Sequence, residues 1–310
     1  MQYRRRLANF KIFRKNLRIP LVAVEVAHGP QFELRPGDAE ILIQLRDGAV
    51  LWQKERLLNI ALQALPSECD KVAWLDCDII FKELDWAEAA NDLLDRFPSI
   101  QLFQHVHYLG HDWSPQAGYG RPELTRPSAA FSLVSGVPAA TCIGHSLDVR
   151  EGTPAPGFAW AASRQILDRH GFFDTCIVGG GNKAMVCAAQ HCFAELMFRH
   201  CMNDHQRQYY LTWAEPYYET VRGEIAFLDA EICHLWHGDQ RDRKPRARHE
   251  GLQPFRFDPR NDIAIDNGGS KSERKRRVAC KHGRSPVHTV PAPAYHASVC
   301  LLLPRSAGLL

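Results

Sequence analysis

Apolar and basic residues alternate at helical spacing from Leu7 to Leu17, and Pro20 closes that segment. "PLVAVEVA" and "EILIQL" then read as short strands, rich in β-branched and aliphatic residues. In "LWQKERLLNIALQALP", Leu57, Leu58, Ala61, Leu62 and Leu65 fall on one helical face and Pro66 stops the helix. The apolar run "KVAWLDCDIIF" follows it directly. A helix feeding a nearly continuous apolar strand predicts an α/β unit with a buried, parallel strand. "WAEAANDLLDRF" repeats the amphipathic pattern and "IQLFQHVHYL" gives another strand. From Gly110 to Gly157 periodicity fades into Gly, Pro and Ser, a long loop of the kind that carries function. "GFAWAASRQILDRHGFFD" predicts a helix stopped by Gly171, "NKAMVCAAQHCFAELMFRHCM" a single helix, and "EIAFLDAEICHLWHG" a late strand ending in two histidines.

The chain has 310 residues, 45% hydrophobic and 24% charged, which suits one large domain with a tail. No apolar stretch of about eighteen residues is present, so no transmembrane helix is read. The basic start "MQYRRRLANFKIF" lacks the apolar centre of a signal peptide, and a cytoplasmic location is expected. The ten cysteines then read as reduced thiols. Cys187, His191, Cys192, His200 and Cys201 invite a zinc reading, but no CxxC pair is present and the helix points them apart; buried thiols are the better expectation. Residues 267–310 carry eight Lys or Arg against the single acid Glu273, a balance of +7 within an overall +3. A domain over residues 1–266 and a basic, disordered tail over 267–310 follow. That tail offers a peripheral contact at the inner membrane face, set against the plainer reading of a solvated tail; nucleic acid is not expected.

Three places carry candidate chemistry. Asp76 and Asp78 lie two apart in an apolar run, and on a strand such residues share a face. Two close carboxylates repel unless a cation lies between them, and a divalent ion fits; the plain alternative is a turn after a strand. His234 and His237 end another apolar strand and supply further ligands, or remain ordinary histidines. Gly179, Gly180 and Gly181 precede a helix, where they permit close approach of a ligand to free N–H groups, or simply form a capping turn with Asn182.

"WLDCDIIF", "PGFAWAASRQILDRHGFFD", "GGGNK" and "HLWHG", in that order, resemble the GT-A glycosyltransferases. Within them the chain is similar to the bacterial branch related to the galactosyltransferase-type carboxyl-terminal half, over roughly residues 3–265. The resemblance implies a Rossmann-like, mixed and mostly parallel sheet flanked by helices. It implies a hexosyltransferase acting on a nucleotide sugar and a glycan, lipid-glycan or protein acceptor. Asp76 and Asp78 would hold the diphosphate through Mn²⁺ or Mg²⁺, with His237 and His234 as further ligands. Phe158 and Trp160 would stack on sugar, and Gly179–Gly181 would line the donor site. Inverting members place a carboxylate after the glycine run; here Asn182 stands there, and Asp174 is the nearby alternative. The chain opens with a helix where such domains open with a strand, so a missing first strand is expected. Two other readings compete: a GT-A-like sugar-nucleotide or glycan-binding protein without turnover, favoured by Asn182, and metal-dependent phosphoester hydrolysis.

Overall fold

The computed structural model describes residues 2–27, 30–46, 51–145, 149–238, 245–267, 276–280 and 298–302. Helix α1 (Gln2–Asn16) leads into β1 (Leu21–Ala27) and β2 (Ile41–Arg46), which pair in parallel. Helix α2 (Lys54–Gln63) follows, then β3 (Lys71–Leu75), β4 (Ile79–Phe81), α3 (Trp86–Leu94), β5 (Ser99–Gln101) and β6 (His105–Tyr108). Strand β7 (Leu124–Pro127), α4 (Ala129–Val134) and α5 (Ala139–His145) interrupt the stretch expected to be a loop. Then come β8 (Ala159–Ser163), α6 (Arg164–His170), α7 (Gly181–Ala189), α8 (Phe193–Arg199), α9 (Asp204–Val221), β9 (Ile225–Phe227), β10 (Glu231–His234) and α10 (Pro245–Leu252). Strands β11 (Ile263–Asn267), β12 (Arg276–Cys280) and β13 (Ser298–Leu302) end the described chain.

These form a seven-stranded sheet ordered β2-β1-β13-β3-β8-β5-β9, a four-stranded sheet ordered β4-β10-β6-β7, and a β11-β12 pair. The fold is mixed α/β, but the large sheet is not mostly parallel: β1–β2 and β5–β9 are its parallel pairings, and the other four are antiparallel. The antiparallel character comes from β13, which lies between β1 and β3, and β8, which lies between β3 and β5, each antiparallel to both neighbours. Most of residues 267–310 lies outside the described residues. The pieces that are described, β12 and β13, are strands rather than the disordered tail expected there.

The large sheet is buried on both faces, as continuous apolar runs require. Val22, Val24, Val72 and Trp74 pack with α2, α7 and α9 on one side. Leu21, Ala23, Ala73 and Leu75 pack with α1 and α3 on the other.

Three runs expected to be single strands each break. β3 and β4 are separated by residues 76–78, β5 and β6 by 102–104, and β9 and β10 by 228–230. At each break the chain leaves the large sheet for the small one. The breaks are stitched together by Leu102 N–H donating to Ala159 O (3.1 Å), Gln104 N–H to Ala230 O (2.7 Å) and Leu228 N–H to Gln101 O (2.8 Å). The Asp-Cys-Asp stretch therefore lies in the joint between two sheets.

Two helix expectations also change. "GFAWAASRQILDRHGFFD" is β8 followed by α6, and the single helix expected from Asn182 to Met202 is α7 and α8 with a break between them. His191 marks that break with φ +52°, a left-handed conformation that interrupts a right-handed helix.

Candidate metal centre and its surroundings

The carboxylates of Asp76 and Asp78 could not lie in a strand buried on both faces without losing their hydration. The chain turns out of the large sheet there instead, so the two residues do not share a face. Asp76 donates its N–H to Phe158 O (2.7 Å), and its carboxylate is ion-paired with Lys54 Nζ on the first turn of α2. Asp78 faces the small sheet. Its carbonyl accepts from Leu235 N–H (2.7 Å), and the antiparallel pairing of His234 with Ile79 sets His234 beside it.

Asp78 Oδ2 lies 3.0 Å from His237 Nε2 and 3.7 Å from His234 Nε2. Ligand atoms from the three residues all lie within 4.8 Å of one another, and among the described residues theirs is the one His/Cys/Asp/Glu group so disposed. Asp76 is not part of it, which corrects the four-residue expectation: its carboxylate is taken by Lys54. Burial works to raise the Asp78 carboxyl, but His234 and His237 outweigh it and hold the group well below the usual carboxylate range. Asp78 Oδ1 is buried with no hydrogen-bond partner. A buried carboxylate oxygen left open, beside two imidazoles converging on its twin, fits a cation. Two nitrogens and one carboxylate oxygen suit Mn²⁺ or another transition ion better than Mg²⁺, whose preferred ligands are oxygens. Three such ligands would leave coordination positions for water or an anionic ligand.

The His234 ring is 3% exposed and held by Tyr108 and Phe158, with ring centroids 5.0 and 5.1 Å away. Phe158 has φ +75°, which an L-residue keeps only when its surroundings impose it. Here the ring is wedged among Phe103, Tyr108 and His234 while the carbonyl serves Asp76. Phe158 therefore packs against the Asp78–His234–His237 group through His234, rather than lying open to a sugar. Trp160 is 1% exposed, pairs across from Trp74 and donates Nε1–H to Pro156 O (3.0 Å); it belongs to the core and is corrected as a stacking residue.

The glycine run is packed against this chain's own side chains. Gly179 and Gly180 have φ +95° and +101°, where side chains are strained. A Cβ on Gly180 would lie 2.4 Å from His200 Cε1, and one on Gly181 would lie 2.1 Å from Glu55 Oε1. The run is thus already covered by this chain's own side chains, and its sequence is explained by packing. Asn182 stands at the start of α7, with Nδ2 3.2 Å from where a Cβ on Gly157 would be. That brings Asn182 to the Gly157–Phe158 corner shared by Asp76 and His234. Asp174 is elsewhere: Arg56 Nη1 (3.2 Å) and Asn59 Nδ2 (3.1 Å) both bind its Oδ2 and tie it to α2.

Sequence reasoning missed Lys54 and Glu55. Glu55 is buried beneath Gly181, accepts from Trp52 Nε1–H (3.0 Å), and is pushed up to about 7 by burial against the pull of Lys54. The signal was present, because Glu55, Leu58 and Leu62 fall on one face of α2. Among the described residues the cysteine group forms no metal-ligand cluster: Cys187 is a buried free thiol, and His191 packs on Phe193 and Tyr218. No helix among the described residues is long and apolar enough to cross a membrane. No family model matches the chain, and no curated protein or solved structure does.

Proposed function

We propose that the chain is a metal-dependent glycosyltransferase of the GT-A kind, moving a hexose from a nucleotide sugar to a glycan-type acceptor. The observation that carries this reading is the Asp78–His234–His237 group at the joint between the sheets, with Asp78 Oδ1 open. A divalent cation held there would offset the negative charge that builds on a departing diphosphate. Lys54 is ion-paired with Asp76 two positions before Asp78, and a diphosphate oxygen competing with Asp76 for it would gain a cationic partner. Asn182, at the Gly157 corner, orients an acceptor hydroxyl by hydrogen bonding. Its amide cannot take the hydroxyl proton. Thermal-shift screening of nucleotide sugars with and without Mn²⁺ tests the reading: stabilisation by one donor, only with metal, is expected. No response to any donor refutes it.

A second reading has its own observation. Asn182 cannot act as a base, and Asp76 and Asp174 are each engaged by a cation. A sugar-nucleotide or glycan-binding protein without turnover follows. If Asn182→Asp creates transfer in a chain that otherwise binds donor without turnover, the native protein is a binder. Transfer by the native chain removes this second reading.

A further inference from the structure

His237 lies beyond the strand that carries His234. Strand β10 ends at His234, and Leu235 N–H is still tied to Asp78 O (2.7 Å), but residues 236–238 run on as a loop that ends on Gly238 at φ +135°. An imidazole on a loop keeps a fixed aim only where its backbone is held. That hold comes from the opening helix. Asn9 of α1 is 5% exposed, and its Nδ2 donates to Trp236 O (3.2 Å), the carbonyl of the peptide joining Trp236 to His237. A carbonyl can only accept, so the amide must turn its nitrogen towards it. Arg5, one helical turn earlier, lays its guanidinium over the Trp236 ring, 4.5 Å from the centroid, and donates to His111 O. The His111 ring meets Trp236 edge-on, with centroids 4.7 Å apart.

Arg5, Asn9 and Ile12 stand at i, i+4 and i+7 and so form one stripe of α1. Ile12 packs on Ile80, Leu109, Cys233 and Leu235, the apolar cluster of the small sheet. A second stripe, Phe10, Phe13 and Leu17, packs with Leu21 and Ala23 in the core of the large sheet. One helix therefore braces the histidine loop against the large sheet. Asparagine is a poor residue for a helix interior, and burying it costs free energy unless its polar atoms are bonded. The apolar stripe beside Asn9 gains nothing from it; the bond to the histidine loop accounts for it. Without Asn9 the Trp236 carbonyl loses this donor, and the peptide before His237 loses its tie to the helix.

We infer that Asn9, backed by Arg5, is a positioning residue of the Asp78–His234–His237 group: it fixes the Trp236–His237 peptide so that His237 Nε2 stays 3.0 Å from Asp78 Oδ2. The opening helix is thereby part of the centre. That the group holds a cation rests on the reading above; the placing of His237 against Asp78 by Asn9 does not.

Nitrogen-15 spectra of the histidine rings of the full, metal-free chain test this, with the His237 signals assigned by their loss in His237→Gln. Asn9→Leu should shift the His237 Nε2 signal as its contact with Asp78 loosens. Phe13→Leu, a destabilising change on the other stripe of the same helix, should leave that signal in place. Mn²⁺ titration of the same proteins should show affinity lowered about tenfold by Asn9→Leu and unchanged by Phe13→Leu. Arg5→Ala, a change at a half-buried position, should act in the same direction and stands in if Asn9→Leu does not fold. The inference is overturned if the folded Asn9→Leu variant, or Arg5→Ala in its place, leaves His237 unmoved, or if Phe13→Leu moves it as far. It is overturned alone if the native chain binds Mn²⁺ and Asn9→Leu binds it equally well. A native chain that binds no Mn²⁺, with His237 still displaced by Asn9→Leu, would keep the positioning role and remove the metal reading.

Discussion

Lys183→Met should make the protein more stable, which few substitutions do. The amine sits at about 8 in the fold against 10.5 for an unperturbed lysine, because burial and three arginines disfavour its charge. At about 1.4 kcal/mol per pH unit, the charged form is destabilised by about 3 kcal/mol. Part of the side chain reaches solvent, which screens that figure, so about 1–3 kcal/mol is expected from removing the charge while keeping the stem. The sign follows from linkage. Below pH 8 both folded and unfolded chains hold the proton and the folded state bears the full penalty; between 8 and 10.5 the unfolded chain binds more protons and stability rises with pH. Urea denaturation at pH 7 and 9.5 reads the effect. The variant should exceed the native chain at pH 7, and its advantage should fall by about half at pH 9.5. Lys183→Arg, which keeps the charge, should show no gain. A Met variant less stable at pH 7 would mean that the Lys183 amine has a partner in the fold, and an advantage that ignores pH would mean that the gain does not come from its charge.

Other consequences bear on the same region. His249, held at about 3 first by burial and then by Lys183 and Arg248, and His200, held well below its usual value, are neutral in the fold. Both must charge on acid unfolding, so their penalty is absent above about pH 6.5 and grows as pH falls toward 3; His249→Gln should flatten urea-measured stability over that window, and an unchanged slope would count against burial of the neutral ring. Gly180→Ala should cost about 2–4 kcal/mol, from positive φ and the clash with His200, whereas Gly136→Ala, at φ +91° with nothing within 4 Å, should cost only about 1 kcal/mol. Equal losses in thermal or urea melts would show that His200 simply moves aside. Lys54→Met should leave Mn²⁺ affinity unchanged while weakening donor binding, because Lys54 serves Asp76 and not the metal group; parallel loss of both in metal and donor titrations would contradict that separation.

The helices were legible wherever an apolar stripe met water on its other side, as on α2 and α3. The strands were legible as apolar runs but not as pairs of strands. Nothing in the hydrophobicity of "IQLFQHVHYL" distinguishes a strand of one sheet from a strand that crosses to a second. Within "KVAWLDCDIIF" the break was marked by the two carboxylates, since a buried pleat excludes them, but their spacing suggested one face when the turn gives them two. Asp78 and the histidines were readable as ligands because polar residues ending apolar strands need partners. Which of Asp76 and Asp78 joined them depended on Lys54, twenty-two positions away along the chain. The glycine run suggested a ligand cradle; Glu55 and His200 fill that space instead, a contact between distant segments that no local pattern carries.

Titration of the full chain with Mn²⁺, followed by the loss of the free-ion electron paramagnetic resonance signal, addresses the metal group directly. The account predicts one bound ion in the native protein, affinity lowered at least about tenfold by Asp78→Asn or His237→Ala, and no change with Asp76→Asn. A native chain that binds no Mn²⁺, or binding that depends on Asp76 as strongly as on Asp78, would contradict it.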